Sequence, residues 1–377
     1  MLATVAAAAG CGTDDGGYPS ERVSAPESNA AMALVRDGDS IYVARPLRLD
    51  RIDARTGVVT EIAGADWAQC PRDSQITWVT TIDDFAYPNI VVRGSALYLI
   101  AQECGLWSFD VATKEKRMLV DPSSATKKER LDAEGIFPEG STWNGKTGPE
   151  WSSPWGMALA ADGDGLVGCF QAVERQPAGD GSSASEPRLE LWSFSTEGTP
   201  REMLASVSSE RATNDGKNYC KQVIVDETSI LFSTDRSVLR WDRQTRATTT
   251  VVSGYQYGTD GLAQDASDVF YVGAENDIRR VSRAGGDPVV LRASSHSPSE
   301  PVRMHVTLDG DEVYFHEGYS LVRMKKDGSD VTVVAAGNTE DWVLPMTLGI
   351  ADHHVYFERM TRGQETSWMG SLFRAPK

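Results

Sequence analysis

The stretch "DGDEVYFHEGYSLVRMKKDGSDVTVVAAG", residues 309–337, decides the fold. It contains an acidic turn, the apolar run Val313–Phe315, a second run that begins at Leu321, a Lys-Asp-Gly turn and a β-branched run over 331–334. Short apolar runs separated by turn residues are typical of β-strands. This stretch therefore predicts three short strands in succession.

The same order of runs occurs seven times along the chain, and a further apolar run precedes the first turn of each copy. The first run after that turn is centred on Tyr42, Tyr98, Val167, Leu231, Phe270, Tyr314 and Tyr356. Seven copies over residues 30–377 give about 50 residues each, near the roughly 40–50 residues of a propeller blade. The pattern predicts an all-β fold, a single β-propeller of seven four-stranded blades, with six or eight blades as the alternatives.

The seventh copy ends at Leu372–Arg374 without a fourth strand. An open edge strand is a liability that propellers avoid by pairing it. We therefore expect the segment before Met32 to pair beside the last copy, so that the N- and C-terminal segments close the ring.

The register "VYF … LVRMKKDGSDVTVV" resembles that of the YWTD-type and TolB-like β-propellers of bacterial lipoproteins of unknown function. The resemblance covers nearly the whole chain. Four copies keep the tyrosine, as Tyr42, Tyr98, Tyr314 and Tyr356, without the Trp-Thr-Asp that follows it in the YWTD type. The resemblance implies the fold and says little about a ligand.

The N-terminal stretch "MLATVAAAAGCGTDDGG" is an Ala-rich apolar run that ends in Ala8-Ala9-Gly10-Cys11. It resembles a bacterial lipobox, which implies export and lipidation of Cys11; a disordered Ala-rich terminus is the alternative. We expect residues 1–11 to be the signal and lipobox segment, 12–29 a flexible tether and 30–377 the propeller. This predicts an extracytoplasmic protein that is lipid-anchored to the bacterial envelope, at the outer membrane.

Four further cysteines, Cys70, Cys104, Cys169 and Cys220, allow three pairings. An even number in an exported protein is typical of disulfides. The repeat register favours Cys70 with Cys104 and Cys169 with Cys220, each pair meeting on one face of one blade.

The charge balance is 37 basic against 54 acidic residues, a net charge of −17. Such a surface repels phosphate backbones and anionic lipid, which argues against nucleic acid as a partner and leaves the lipid anchor as the only membrane contact. A cationic ligand, a basic protein patch or a divalent cation would fit this field, although the charge can also serve solubility alone. We expect a monomer.

Three motifs have simpler explanations than cofactor or metal binding. The phosphate-loop spelling "GSTWNGKT", residues 140–147, is followed by Gly148-Pro149, where no helix can begin as a phosphate loop requires. Gly163-x-Gly165-x-x-Gly168 lies at a predicted hairpin turn, and so do the acidic turns that begin at Asp37, Asp162 and Asp309. We therefore predict no cofactor and no metal site.

Catalytic patterns are sparse, and we assign no catalytic residue. Asp83, Asp84 and Glu150 lie in predicted loops and could supply paired carboxylates for glycoside chemistry, or be solvated charges. Whether the chain is an enzyme stays open at this stage.

The insertion between the second and third copies is rich in tryptophan. Its tryptophans either cap the ring or form an aromatic platform for a partner or a sugar. With residues in the equivalent loops of other copies they give the predicted ligand site: Trp143, Trp151, Trp155, Tyr87, Asn89, Tyr219, Tyr257 and Arg303. The sequence thus predicts a binding or scaffolding module of the cell envelope whose partner is an envelope protein or a glycan. The alternatives are an extracytoplasmic hydrolase or lyase, acting on polysaccharide or peptide at the channel mouth, and a purely structural component.

Overall fold

The computed structural model describes residues 20–24, 33–45, 48–69, 71, 90–101, 105–120, 158–177, 183–208, 220, 222–234, 237–253, 261–273, 275–293, 305–362 and 368–377. These residues form seven four-stranded antiparallel sheets arranged as the blades of a ring. Within each blade we name the strands a to d, from the innermost to the outermost. The all-β, seven-bladed propeller predicted from the repeats is confirmed.

The first three blades contain twelve strands. Blade 1 consists of β2 (Ala33–Asp37), β3 (Ser40–Arg45), β4 (Arg48–Asp53) and β5 (Val59–Ala63), and is followed by a 3-10 helix, Ala65–Ala68. Blade 2 consists of β6 (Ile90–Arg93), β7 (Ala96–Ala101), β8 (Gly105–Asp110) and β9 (Lys116–Val120). Blade 3 consists of β10 (Ala158–Asp162), β11 (Gly165–Pro177), β12 (Ser183–Ser195) and β13 (Pro200–Ser208).

The other four blades contain the remaining strands. Blade 4 consists of β14 (Val223–Val225), β15 (Ser229–Ser233), β16 (Ser237–Asp242) and β17 (Thr248–Ser253). Blade 5 consists of β18 (Leu262–Gln264), β19 (Asp268–Val272), β20 (Ile278–Ser282) and β21 (Val289–Arg292). Blade 6 consists of β22 (Val306–Asp309), β23 (Glu312–Glu317), β24 (Ser320–Lys325) and β25 (Thr332–Ala335). Blade 7 consists of β26 (Asp341–Ile350), β27 (His354–Arg362), β28 (Trp368–Pro376) and, as its outer strand, β1 (Glu21–Arg22).

The hydrophobic core lies between the blades. In β3, Ile41 and Val43 pack towards blade 7, against Tyr356, whereas Tyr42 and Ala44 pack towards blade 2. Successive side chains of a strand point to opposite faces of its sheet. Because both faces of each blade are covered by a neighbour, the second strand has to be apolar throughout and not in alternation.

The two ends of the ring differ in their connections. At one end lie the a–b and c–d turns, which are as short as the two residues between Asp37 and Ser40. We call this end the turn face. The b–c connections and the connections between blades start and finish at the other end, and the longest of them in sequence separates Val120 from Ala158. We call this end the loop face.

Asp-x-x-Thr sequences shape three of the c–d turns. In each turn the aspartate carboxylate accepts hydrogen bonds from two backbone N–H groups, the second of them that of the threonine: Asp53–Thr56, Asp110–Thr113 and Asp242–Thr245. These bonds to the charged carboxylate lower the pKa of each aspartate. The next residue has a positive φ, 75° at Gly57, 67° at Lys114 and 58° at Arg246. The motif therefore holds a turn that reverses the chain between strands c and d.

The acidic a–b turns are hairpin turns, as predicted. Gly38, Gly163 and Gly310 have φ values between 50° and 55°, a conformation that glycine adopts readily. Gly163 and Gly165 flank the turn from β10 to β11, so the dinucleotide-like spelling belongs to a hairpin.

The same type of ion pair occurs at four interfaces between neighbouring blades on the turn face. The first residue after strand c is basic, and its side chain reaches an aspartate at the end of strand a in the preceding blade. The pairs are Arg243–Asp162 at 2.7 Å, Arg283–Asp226, Lys326–Asp265 at 2.6 Å and Lys377–Asp309. Burial would raise the pKa of Asp265, but hydrogen bonds from Lys326 and from the backbone of Asp268 and Ser267 lower it to about 2.

A tyrosine replaces this ion pair at two other interfaces. The hydroxyl of Tyr356 in strand b of blade 7 donates to the carbonyl oxygen of Ala54 in blade 1, at 3.2 Å. Tyr98 has the equivalent position in blade 2 and packs against the core of blade 3. Where Arg243, Arg283 and Lys326 form the ion pair, strand b of the preceding blade has another residue at the position of the tyrosine. These residues are Val167, Leu231 and Phe270. The blade 6–7 interface has both a tyrosine, Tyr314, and the basic residue Lys377, but the Tyr314 hydroxyl donates to Glu312 of its own blade.

The ring closes between blade 7 and blade 1 as expected. β1 pairs with β28 in the register Glu21↔Arg374 and Arg22↔Phe373. The Arg374 guanidinium donates to Glu21 at 2.9 and 2.6 Å and to the carbonyl oxygen of Thr56 in blade 1 at 3.0 Å. Glu21 and Arg22 lie within residues 12–29, so this part of the expected tether segment belongs to the ring.

The predicted disulfide between Cys169 and Cys220 is present, with the two Cα atoms 6.0 Å apart. It does not lie within one blade, as the sequence analysis expected. Cys169 is in strand b of blade 3 and Cys220 precedes strand a of blade 4, because the side chain of Cys169 faces the next blade. The other predicted pair, Cys70 and Cys104, lies outside the described residues.

Substituting Tyr356→Phe tests the tyrosine contact at the closure. The variant keeps the buried ring and loses the hydrogen bond to Ala54, so we expect the free energy of unfolding to fall by about 1–2 kcal/mol. Urea denaturation at neutral pH measures this loss. Tyr42→Phe is the matched control, because among the described residues Tyr42 has no hydrogen bond to blade 2, and its loss should stay within about 0.5 kcal/mol. Equal losses in the two variants would contradict the assignment.

Candidate functional site

The loop face carries every connection that varies strongly in length between blades. Loops on a rigid scaffold are where binding residues concentrate. The predicted ligand residues belong to these connections, and all of them lie outside the described residues: Tyr87, Asn89, Trp143, Trp151, Trp155, Tyr219, Tyr257 and Arg303. The same holds for Cys11, for the stretch 140–147 and for Asp83, Asp84 and Glu150. Their roles therefore stay predictions.

The described part of the loop face has a feature that the sequence analysis missed. Buried ionisable side chains occur at the loop-face ends of four consecutive blades: Asp277, paired with Arg279, in blade 5, and a larger group in blades 6, 7 and 1. We call this group the polar sector, and it consists of His305, His316, Glu358, Arg45 and Asp50. Four of its members are at most 4% exposed, and His305 is partly buried. Burying ionisable groups is costly unless they are paired, so their concentration in one sector marks it as the candidate site.

The centre of the polar sector is an ion network across the closure of the ring. Arg45, the last residue of β3, lies 2.8 Å from Asp50 through its Nη1 atom and 3.8 Å from Glu358 of blade 7 through its Nη2 atom. Arg48 joins from the more exposed side, with its Nε atom 2.9 Å from the same Asp50 oxygen. The indole N–H of Trp67 donates to the Arg45 carbonyl oxygen at 2.8 Å, which fixes the end of the strand.

Both histidines of the polar sector belong to blade 6. His305 is the residue before β22, and His316 lies in β23, one residue beyond the last pair of the two strands, Val306↔Phe315. His316 faces blade 7, because Tyr314, two residues before it in the same strand, packs into the core of blade 7. Burial lowers the pKa of His305 to about 4, so the ring is neutral at neutral pH.

Two bidentate ion pairs flank the histidines. Arg359 of blade 7 donates to both carboxylate oxygens of Asp341, at 3.1 and 2.6 Å, and to the Ala336 carbonyl oxygen of blade 6 at 3.1 Å. Arg292 of blade 5 donates to both oxygens of Glu317 in blade 6, at 3.1 and 3.0 Å. The hydrogen bond to Glu317 raises the pKa of Arg292. These pairs hold the loop-face ends of blades 5, 6 and 7 together.

The polar sector could be found in the sequence from one signal. The fourth residue of the apolar run in strand b is Ala44, Ile100, Cys169 or Val272 in four blades, but His316 and Glu358 in blades 6 and 7. A charge in an otherwise apolar register, at the level where the loops begin, indicates either an ion network or a site. Chemically, the sector offers imidazole side chains and mutually paired charges, which suit polar recognition.

A long hairpin projects from the loop face of blade 3. β11 and β12 stay paired from Gln171↔Leu189 to Pro177↔Ser183, beyond the last pair of β10 with β11, Ala158↔Cys169. With Phe170↔Glu190, eight residue pairs lie beyond Cys169, and they correspond to roughly 25 Å of antiparallel ribbon. The disulfide at Cys169 lies at its base and connects it to the segment before blade 4. The hairpin thus extends the loop face with an element that is covalently braced.

Within the described ranges, we find no helix long and apolar enough to cross a membrane. In the same part of the chain, no three or more His, Cys, Asp or Glu side chains are grouped so that they could hold a metal ion.

Comparisons with known proteins support the fold. No family model matches the chain, and no curated protein sequence matches it. The solved structure of U3-55K is similar with a TM-score of 0.54 at 9% identity, covering 95% of this chain and 98% of that chain. The AfRom2 CNH domain gives 0.49 at 8% identity over 94% and 98% of the two chains. PorZ, described as an essential bacterial surface component of the type-IX secretion system of Porphyromonas gingivalis, gives 0.47 at 10% identity over 90% of this chain and 38% of that chain.

At these identities the similarity concerns the fold alone. The resemblance to YWTD-type and TolB-like propellers is accordingly supported at the level of a seven-bladed β-propeller. A propeller of this kind is consistent with a binding or scaffolding module.

Because His305 is neutral in the folded chain, we expect the free energy of unfolding to depend on pH in the acid range. Between pH 6.5 and 4 the unfolded chain binds a proton at this histidine that the folded chain does not, so the free energy of unfolding falls as the pH falls. His305→Gln removes this contribution, and we expect a shallower slope of unfolding free energy between pH 6.5 and 4.5. Urea denaturation at several pH values measures the slope, with His353→Gln at an exposed position as control. A slope in His305→Gln as steep as in the parent chain would contradict the prediction.

Proposed function

We propose that this protein is an exported, lipid-anchored β-propeller that acts as a binding or scaffolding module in the bacterial cell envelope, with its loop face as the binding surface. The observation that carries the proposal is the division between the two faces. The turn face is occupied by short Asp- and Gly-containing turns and by the ion pairs between blades. The loop face has the variable connections, the projecting hairpin and the polar sector.

The Cys169–Cys220 disulfide supports the extracytoplasmic part of the proposal. Disulfides persist in oxidising compartments and are rare where thiols are kept reduced. The Ala-rich stretch before Cys11, the resemblance to lipoprotein propellers and the tether that follows support the lipid anchor at the outer membrane. β1 begins at Glu21, so the residues between Cys11 and the ring could space it from the bilayer.

Paired charges in and beside the polar sector favour binding over catalysis. Arg45, Arg359 and Arg292 each have a carboxylate partner within the structure, at Asp50, Asp341 and Glu317. Groups that satisfy one another in this way shape a surface with little net charge. The tryptophan-rich insertion would supply aromatic area to a partner protein or a glycan, as aromatic residues do in many interfaces.

The enzyme alternative has one observation in its favour. Titratable groups at the loop-face ends of neighbouring blades, His305, His316 and Glu358, are the kind of set that a hydrolase or lyase needs at its channel mouth. Turnover of polysaccharide or peptide substrates that is lost in Glu358→Gln, with folding intact, would support this alternative.

The binding proposal is tested by affinity capture from detergent-solubilised envelope. Three baits spanning residues 12–377 are compared: the parent chain, Trp151→Ala with Trp155→Ala in the predicted ligand site, and Val58→Ala with Val289→Ala as control. Val58 and Val289 are exposed apolar side chains in and next to c–d turns of the turn face. We expect a protein retained in stoichiometric amount by the parent chain and the control and lost by the loop-face variant, as identified by mass spectrometry.

Retention that survives the loop-face substitutions and is lost in the control would contradict the assignment of the binding face. If no protein is retained, the protein-partner form of the proposal fails and binding to envelope glycan becomes the remaining form. The anchor is tested separately: labelled palmitate should be incorporated in vivo into the parent chain and not into Cys11→Ser. Absence of label in the parent chain would overturn the lipid anchor without affecting the binding face.

A further inference from the structure

We infer that the outer edge of blade 6 is a docking site for an extended segment of a partner protein, with apolar side chains along the segment and basic side chains at its ends. The segment adds a further strand to the blade, beside β25. This surface lies on the perimeter of the ring, so the inference is independent of the loop face and goes beyond the proposed function.

β25 is the last strand of its sheet. It pairs with β24 on one side, and among the described residues no strand pairs with its other side. An edge strand presents backbone N–H and C=O groups to which another strand can pair. The stretch Val331–Ala336 contains no proline and no charged residue, and it corresponds to roughly 20 Å of edge. Addition of a strand to such an edge is a common mode of peptide recognition.

The outer strands of the other blades differ from β25. Proteins protect edge strands with charged residues or proline. Charged residues occur in the outer strands of blades 1, 2, 3, 5 and 7: Glu61, Lys116, Arg117, Arg201, Glu202, Arg292, Glu21 and Arg22. Pro288 also precedes the outer strand of blade 5, and β17 of blade 4 exposes Thr249 and Thr250. The edge of blade 6 lacks this protection.

Two exposed valines of this edge lie on one side of the sheet. Val333 is opposite Val322, which packs into the core between blades 5 and 6, and opposite residues share a face. Val331, two residues earlier, shares that face, and the two valines are 38% and 39% exposed. Leu291 of blade 5 packs against the same core, and a Cβ atom at Gly328 would lie 2.9 Å from its carbonyl oxygen. Alternate side chains of an added strand thus meet an apolar surface.

The charges around the edge determine which segment fits. Asp327 and Asp330 are exposed at its turn-face end, and Glu340 is exposed near its loop-face end. Within the described ranges, neither aspartate takes part in an ion pair. The two basic side chains of the same turn are held by other carboxylates, Lys326 by Asp265 at 2.6 Å and Lys325 by Glu312 at 3.5 Å.

A neutral, apolar edge between carboxylates complements an apolar segment with Lys or Arg at both ends. A second copy of this chain does not fit in the same way. An antiparallel copy of β25 would bring its own Asp330 to the end where Glu340 lies, so that like charges would meet.

Fluorescence anisotropy with a labelled synthetic peptide, Lys-Lys-Val-Thr-Val-Thr-Val-Thr-Lys-Lys, tests the inference on the full chain at neutral pH. We expect saturable binding to the parent chain and about tenfold weaker binding to Val333→Lys, which places a positive charge on the edge. The matched control is Thr250→Lys in the outer strand of blade 4, because Thr250 is opposite Leu239 as Val333 is opposite Val322. This control should bind the peptide as the parent chain does. Circular dichroism shows whether each variant is folded.

Hydrogen exchange of the parent chain locates the bound peptide without any substitution. The peptide should slow amide exchange in β25 and leave β17 unchanged. Two further peptides, one with glutamate in place of lysine and one with N-methylated backbone amides, should bind more weakly because they lose the charge match and the strand pairing.

Each of the following results would overturn the inference: absence of saturable binding, equal affinity of Val333→Lys and the parent chain, an equal loss in Thr250→Lys, undiminished binding of either altered peptide, or unchanged exchange in β25. The peptide experiment leaves the predicted ligand site unaltered, so its failure does not affect the proposed function.

Discussion

The ring depends on the requirement that every blade is covered on both faces by its neighbours. In blade 1, Ile41 packs against blade 7 and Tyr42 faces blade 2, so that neither side of the sheet can be exposed without loss of core. A closed ring satisfies this condition for all seven blades, whereas an open stack would leave two sheets uncovered. The contact between blade 7 and blade 1 is thus the constraint on which the other interfaces depend. It is also the most elaborate interface, with β1 on β28, Tyr356 on Ala54 and the buried network around Arg45.

The architecture could be predicted from the sequence because the same order of apolar runs and turns occurs seven times. Repetition of an apolar run after each short turn reveals the period, and a missing fourth strand in the last copy indicates the closure. The disulfide partners could also be predicted, but not the blade that each belongs to. That assignment depends on the direction in which Cys169 points, which is towards the next blade.

The polar sector is visible in the sequence only as exceptions to the apolar register, and neither its contacts nor the ion pairs of the turn face could be derived from the repeats. A histidine such as His316 or a carboxylate such as Glu358 looks like an isolated exception until the register shows which blade it faces. Arg283 and Asp226 are 57 residues apart along the chain, and only the stacking of adjacent blades brings them together. Tertiary contacts of this length leave no local pattern. The two faces therefore differ in a way that individual repeats do not reveal. The turn face holds the blades together through ion pairs, whereas the connections of the loop face vary in length.

The central claim is that closure by the N-terminal strand stabilises the whole ring. It is tested most directly by hydrogen exchange of a chain that begins at Ser20 compared with one that begins at residue 25, which lacks β1. The account predicts that loss of β1 speeds amide exchange in β28 first and also weakens protection in blades 1 and 7, with a lower free energy of unfolding for the entire chain. Unchanged protection in β28 and unchanged global stability would contradict it, and would show that the ring is held by blade packing without its closing strand.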